Sequence, residues 1–285
     1  LPAGPRPRVL EIGPGDGRLA EVVISALARS GIDCEYVLVE RSEPLGRAAL
    51  ARATAAGDAN RISVRRSPSV AAEGPFGGAV IANEVMDALP ARRLRWTGDA
   101  WEELGVRLES DRLSAATVPI REPVPAPPLL PGSEPGTIVE FSSAAEAIVR
   151  EVADHLTHGR FLILDYGMGE AELRSAHPRG TLEAIRQHLS VDDPLSAPGE
   201  TDLSVFVNFD RIRAAARTAG WQESSFGSQA EALGAWGYPE LFARAVREAK
   251  SSEEEVRLRL ASKNLLFGFE RFRVLELAVP APGPP

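Results

Sequence analysis

Glu11-Ile12-Gly13-Pro14-Gly15-Asp16-Gly17 is the stretch on which the reading of this sequence turns. Arg8-Val9-Leu10-Glu11-Ile12 leads into it as a short buried strand. From Gly17 to Ser30, Leu19, Val22, Val23, Ala26 and Leu27 recur at helical spacing, and Gly31 follows as a stop. Glycines between a strand and a helix let the backbone bend sharply and approach a ligand at the positive end of the helix. The dinucleotide-binding version of such a turn wants a small residue one place after Gly17, where this chain has Arg18. A glycine turn without a ligand is the bland alternative, and its place on strand one of an α/β pattern weighs against it.

Outward from this turn the chain alternates. Cys34–Glu40 is a second strand, Glu43–Ala56 a helix, Ile62–Val64 a third strand and Gly77–Ala82 a fourth. Near-continuous apolar strands alternating with helices predict a mostly parallel, doubly wound sheet covered on both faces. After Pro90 the pattern changes, and Arg92–Ile120 reads as a small antiparallel meander. Pro119–Gly136 is a Pro-rich connector. Ser142–His158 is a helix, Phe161–Gly167 a fifth buried strand, and 168–205 a long polar segment with a short helix expected at Thr181–His188. A helix at Asp210–Ala219 is capped by Asn208 or Asp210, charged helices cover roughly Tyr238–Asn264, and Phe269–Val279 closes the chain before a frayed tail. The expected division is a main domain from 1–90 and 137–279, with 168–205 inserted as a lid, and a small unit at 91–136. The start on a core strand points to sequence upstream.

Composition removes several function classes. The 285 residues carry 32 basic and 40 acidic side chains, a net charge of −8 that argues against a general nucleic-acid binder. Hydrophobic residues make up 44%, enough for a packed core. No apolar run approaches the roughly 18 residues of a membrane helix. A single cysteine, Cys34, excludes an internal disulfide and fits a reducing, cytoplasmic setting. Four scattered histidines and that cysteine supply no zinc-binding pattern. Arginine almost replaces lysine, with only Lys250 and Lys263 present, which suggests a GC-rich bacterial genome.

Acids gather at the predicted carboxyl edge of the sheet, where open α/β sheets bind ligands. Glu40 ends strand two, where a carboxylate can accept hydrogen bonds from both hydroxyls of an adenosine ribose; it is expected to face solvent. Asn83-Glu84-Val85-Met86-Asp87-Ala88-Leu89-Pro90 leaves strand four. If it forms a helical turn, Glu84 and Asp87 share one face and could hold a cationic substrate or accept a proton. Helix capping by Asn83 with acids in the first turn is the structural alternative. Asp165 adds an acid at the end of strand five.

The spacing of Gly13, Gly15 and Gly17 after Glu11 resembles the first motif of S-adenosylmethionine-dependent methyltransferases. The chain is also similar, over roughly residues 8–235, to the family of the bacterial MidA proteins and the mitochondrial complex I assembly-factor methyltransferase. The matching strings are Glu11–Gly17, Asn83–Pro90, Gly159–Gly167, Arg179–Leu182, Asp193–Leu195 and Pro198–Leu203. Val207-Asn208-Phe209 also fits, with Asn where the family usually has Asp; Met168 stands where a His is usual. The family also normally carries a helical segment before the glycine strand.

The resemblance implies a Rossmann-like class I methyltransferase that uses S-adenosylmethionine and releases S-adenosylhomocysteine. It implies cofactor contacts at Glu11, Gly13, Gly15, Gly17, Glu40 and Asn83, and catalytic acids at Glu84, Asp87 and Asp165. Glu200 and Asp202 are then substrate-side candidates on the lid, and no metal is expected. The mitochondrial relative methylates a protein arginine, so N-methylation of an arginine is the leading activity. Methylation of O, N or C on a small molecule is the alternative, and a cofactor-binding assembly factor with little turnover is a third. A protein acceptor predicts a wide acidic groove, a small molecule an apolar pocket, and an assembly factor a large apolar surface patch. The partner implied is a protein or small-molecule methyl acceptor, with room for a homodimer and without nucleic acid or membrane.

Overall fold

Parallel pairing begins with β1 (Arg8–Ile12), whose alternate residues face two different layers. The computed structural model describes residues 6–66, 74–120 and 133–280. Most of the expected Pro-rich connector and the last five residues of the tail lie outside them. β1 leads to α1 (Arg18–Arg29), β2 (Glu35–Val39), α2 (Glu43–Ala56), β3 (Ile62–Arg65) and β4 (Phe76–Asn83). An antiparallel excursion follows: β5 (Arg92–Trp96), β6 (Trp101–Glu109), β7 (Arg112–Val118) and β8 (Ile138–Phe141), in sheet order β7-β6-β5-β8. The meander read from the sequence is therefore present. Its fourth strand, β8, comes from beyond the expected boundary at 136.

The chain returns through α3 (Ser143–His155) into β9 (Leu156–Met168), a longer strand than the apolar core of its sequence suggested. Then come α4 (Glu170–Ala176), β10 (Glu183–Arg186), β11 (Leu189–Ser190), β12 (Asp202–Ser204), β13 (Val207–Asn208) and α5 (Phe209–Thr218). The helix expected at Thr181–His188 is not formed. Glu183–Arg186 is instead the central strand of a small sheet, β11-β10-β12, with Gln187 and His188 at positive φ in the connecting turn. The alternation Glu183, Ala184, Ile185, Arg186 serves a strand as well as a helix, and long-range pairing with β12 decides. Three more helices, α6 (Gln229–Ala235), α7 (Tyr238–Glu248) and α8 (Ser252–Phe267), lie between the closing strands β14 (Gln222–Ser228) and β15 (Phe272–Ala278).

The main sheet runs β14-β15-β9-β4-β1-β2-β3, with β13 paired beside β9. All neighbours are parallel except β15, which is antiparallel to both β9 and β14. One face packs on α3 and α5 through Leu10, Val80, Phe161, Val149 and Phe209. The other packs on α1 and α2 through Ala20, Ile24, Leu38, Ala49 and Ala53. Phe161 and Phe209 are fully buried, each worth about 1.5–3 kcal/mol relative to exposure. The doubly wound α/β architecture expected from the apolar alternation is the one observed.

Strand order reverses between β1 and β4, the crevice where open α/β sheets receive ligands. The register aligns the strand ends there. Ile12 pairs with both Val39 and Ala82, and Asn83 pairs with Leu164. Gly13, Glu40 and Glu84 thus leave three adjacent strands at about the level of Asp165 on the fourth, β9.

Candidate functional site

The glycine turn sits at the start of α1, whose N-cap, Gly17, is left-handed and has no side chain to close the helix end. A Cβ on Gly17 would lie 2.6 Å from the Ala49 Cα, so this glycine lets α1 pack on α2. Gly15 differs. Its φ is +56°, and a Cβ there would meet nothing within 4 Å, so the turn leaves open space in front of it. Gly13 donates its N–H to the Val39 carbonyl at 2.9 Å. Glu11 lies beneath the turn, 2% exposed, and accepts the Tyr36 hydroxyl at 2.7 Å. Burial raises its carboxyl above the ordinary value, against the lowering effect of that hydrogen bond. It is a strut under the turn more than a group presented to a ligand.

Glu40 is 8% exposed, not solvent-facing as expected. Gly46 of α2 packs against its stem, and its Oε1 accepts the Ser42 N–H at 2.8 Å. The carboxylate is therefore oriented by its own following turn, at the end of β2 beside the glycine turn.

Glu84 and Asp87 do not share a helical face. Glu84 takes a left-handed φ of 53°, and 84–90 forms a series of turns instead of a helix, so Asn83 caps nothing. Asn83 Nδ2 instead contacts Glu84 Oε1 at 3.4 Å. The acceptor that shapes this segment is Asp165. Its Oδ2 accepts the backbone N–H groups of Val85, Met86 and Asp87 at 3.1, 2.7 and 3.4 Å, and its Oδ1 accepts that of Tyr166 at 2.9 Å. Asp165 is fully buried, under the turn that it holds. Met86 fills the core below, 1% exposed.

Asp87 and Asp165 form an interacting pair of acids. Burial pushes Asp165 up to about 8, aided by the charge of Asp87, while the amides of Met86, Tyr166 and Val85 pull the other way. Burial likewise raises Asp87. One oxygen of Asp87, Oδ1, is buried with no hydrogen-bond partner among the described residues.

Asp87 also borders a half-open chamber of about 660 Å³. Its floor is 87–91 of the turn. One wall is a face of the meander, where the register sets Arg93, Leu104 and Thr117 side by side. Its roof comes from the 182–205 segment, through Leu182, Leu195, Leu203 and Val205. Both arginines on the wall are neutralised, Arg93 by Glu140 at 2.8 Å and Arg95 by Glu102 at 2.6 Å. The roof is locked down. Buried Glu140 accepts Thr181 N–H at 2.5 Å and its hydroxyl at 2.6 Å, and that hydroxyl accepts Phe206 N–H at 2.9 Å. Val205 N–H donates to the Asp87 carbonyl at 3.1 Å.

Glu200 and Asp202 are exposed on the roof segment and do not line the chamber. The roof segment also carries Glu183, exposed, whose charge acts on Tyr166 of β9. The charges of Glu84, Asp87, Asp165 and Glu183 all act on the Tyr166 phenol, which burial raises first and these acids raise further. Tyr166, Glu183 and Glu140 were not singled out from the sequence. An acid inside the apolar run Ile138-Val139-Glu140-Phe141 was the available signal for one of them. Asn208, not Asp210, caps α5; Asp210 instead accepts the Glu170 N–H at the start of α4. Among the described residues no three His, Cys, Asp or Glu side chains converge as metal ligands, and no helix is long and apolar enough to cross a membrane.

Comparison with known proteins gives this edge a context. Residues 2–226 match the Methyltransf_28 family of S-adenosyl-L-methionine-dependent methyltransferases. The chain is 30% identical over 245 residues to the Drosophila melanogaster homologue of the mitochondrial protein arginine methyltransferase NDUFAF7, covering 75% of this chain and 53% of that protein. With the Xenopus tropicalis protein of that name it shares 28% over 235 residues, covering 72% and 52%. The chain thus spans about half the length of the curated relatives it matches. A COG1565 superfamily protein from Burkholderia thailandensis superposes with a TM-score of 0.84 at 27% identity, over 96% of this chain and 74% of that one. A second structure from that organism, bound to S-adenosyl-homocysteine, superposes at 0.83 with 28% identity, over 96% and 71%. The strings that resemble MidA proteins and the match across most of the chain agree: it belongs to the MidA-like family of S-adenosyl-L-methionine-dependent methyltransferases.

Proposed function

We propose that this chain transfers a methyl group from S-adenosylmethionine to a guanidinium nitrogen of a protein arginine. The observation that carries the reading is the placement of exposed Glu84 and half-buried Asp87 on the turn after β4, held over Asp165 beside the switch point. An arginine stays protonated at neutral pH, so its acceptor site needs acids that orient the fork and offset its charge. The names of the curated relatives support the same acceptor.

The residues present fit the cofactor. Gly15 leaves open space where a bulkier backbone neighbour would intrude, and Glu40 stands where a ribose would need an acceptor for two hydroxyls. When bound, the cofactor would supply an electrophilic methyl on its sulfonium sulfur, whose S–C bond to that methyl breaks to leave S-adenosylhomocysteine. Glu84, exposed at the turn, orients the guanidinium. Asp87, with one buried oxygen lacking a partner, accepts the proton that leaves nitrogen as the N–C bond forms. Asp165 positions both acids by holding the backbone between them. In this proposal the chain works in a cytoplasmic setting, without nucleic-acid or membrane partners.

A small-molecule acceptor is the second reading, and the apolar lining of the chamber favours it. Cell extract incubated with the protein and methyl-labelled cofactor separates the two. Label on a protein, mapped to arginine by mass spectrometry, is the expected result; label confined to a metabolite overturns it. Glu84→Gln should lower single-turnover transfer at least about tenfold while S-adenosylhomocysteine affinity holds.

A further inference from the structure

The arginine reading makes no use of the chamber beside Asp87, and its construction is specific. Small side chains keep it open where larger ones would fill it, among them Ala88, Ala91 and Ala115. Its wall and roof each end in a strand that lies at the edge of its sheet. β7 is terminal in β7-β6-β5-β8, and β12 is terminal in β11-β10-β12. Val106 on the wall is 51% exposed and Leu203 on the roof 43%, so the rim offers apolar side chains to solvent. Arg93 and Arg95 are paired with acids, which leaves Asp87 as the charged lining residue without a salt bridge among the described residues.

We infer that this chamber seats an extended stretch of the methyl-accepting protein, with apolar residues flanking the target arginine packed between Val106 and Leu203 and the guanidinium directed to Asp87. This rests on the arginine reading and adds to it the sequence context of the acceptor. Three features select a peptide over a compact metabolite. The chamber is half open, so a chain can enter and leave it. Free strand edges at its border offer main-chain hydrogen bonds to an extended segment. One carboxylate at the end of an apolar cavity matches a side chain whose stem is apolar and whose tip is cationic. A cavity of this size takes more than one side chain.

The test compares two fluorescent peptides, each with a single central arginine. One flanks it with leucine and valine, the other with glycine and serine. Binding is read by anisotropy with S-adenosylhomocysteine present, and methylation by mass spectrometry. The apolar-flanked peptide should bind about tenfold tighter or better, the ratio expected from seating at least one large apolar side chain. Val106→Asp and Leu203→Asp, both at exposed positions, should erase that difference while calorimetric affinity for S-adenosylhomocysteine stays unchanged. Equal binding of the two peptides, or rim variants that keep the preference, overturns the chamber assignment even if arginine is methylated. Failure of both peptides alongside labelling of a small metabolite overturns the arginine reading, and this inference with it.

Discussion

The turn after β1 and the turn after β4 meet at the switch point, close enough that a Cβ on Gly13 would stand 2.8 Å from Val85 Cγ2. They are held by different means. The first is local: glycines at positive φ bend the chain within a few residues, and the helix that follows starts on one of them. The second takes its shape from Asp165, whose carboxylate binds amides about 80 residues earlier in the chain. A ligand-facing turn can thus be written into adjacent residues or imposed by a distant side chain, and only the first kind survives being read alone.

Removing the distant anchor should have the largest effect. Asp165→Ala leaves three turn amides without their acceptor in a fully buried place, and a loss of about 3–5 kcal/mol is expected in denaturant unfolding. A near-wild-type midpoint would show that the second turn holds itself, and the contrast would collapse.

The glycines offer the next test. Gly15→Val places a branched side chain in the open space before the turn, so S-adenosylhomocysteine binding should become undetectable by calorimetry. Its cost to folding should be only left-handed strain, about 1–3 kcal/mol. Gly17→Ala adds a clash with α2 to that strain and should destabilise at least as much despite the smaller residue. If Gly15→Val binds cofactor normally, the first turn is scaffolding and the ligand belongs to the second.

Glu40→Ala should weaken S-adenosylhomocysteine by roughly one to two orders of magnitude, since hydrogen bonds to a charged group are worth about 1.5–3 kcal/mol. Because Glu40 is buried and accepts Ser42 N–H, about 1 kcal/mol of stability should go with it. Unchanged affinity would reduce Glu40 to a stabiliser of its own turn.

The smallest effect is the change that one neutralising substitution makes to the pH dependence. Burial, aided by the charge of Asp87, pushes the folded Asp165 carboxyl to about 8, against an ordinary 3.8. Between those values the native state holds a proton that the unfolded chain does not, so this group's contribution to stability is full below about pH 4 and is lost as pH rises towards 8. Asp87→Asn removes the neighbouring charge and should flatten the decline, as read from unfolding free energies at about pH 5 and pH 8. An unchanged slope would mean the two acids act independently.

Legibility followed the same division. β1, β2, β4, the meander and the glycine turn could be read because their signals are periodic or local. The acids at 84, 87 and 165 were found as residue types on the right edge, but their arrangement was not, because a helical turn and a carboxylate-anchored turn share one composition. Ala184 and Ile185 could not announce a strand, since their partner β12 lies 16 or more residues later and supplies the pairing. Glu183 and Tyr166 went unseen for a related reason: only the folded roof brings an exposed glutamate toward a phenol on β9.

The antiparallel strand β15 has a further consequence for how the chain comes to be made. It pairs with β9 from Arg160 to Tyr166, including Arg273 opposite Asp165, and it is the last element of the sequence described. A ribosome adds it after every other described element. Until then β9, the strand that bears the anchor of the second turn, is an unpaired edge with β14 waiting beyond it, a state open to pairing with other chains. Synthesis therefore makes the glycine turn well before the strand that carries the anchor of the acidic turn is covered on this side.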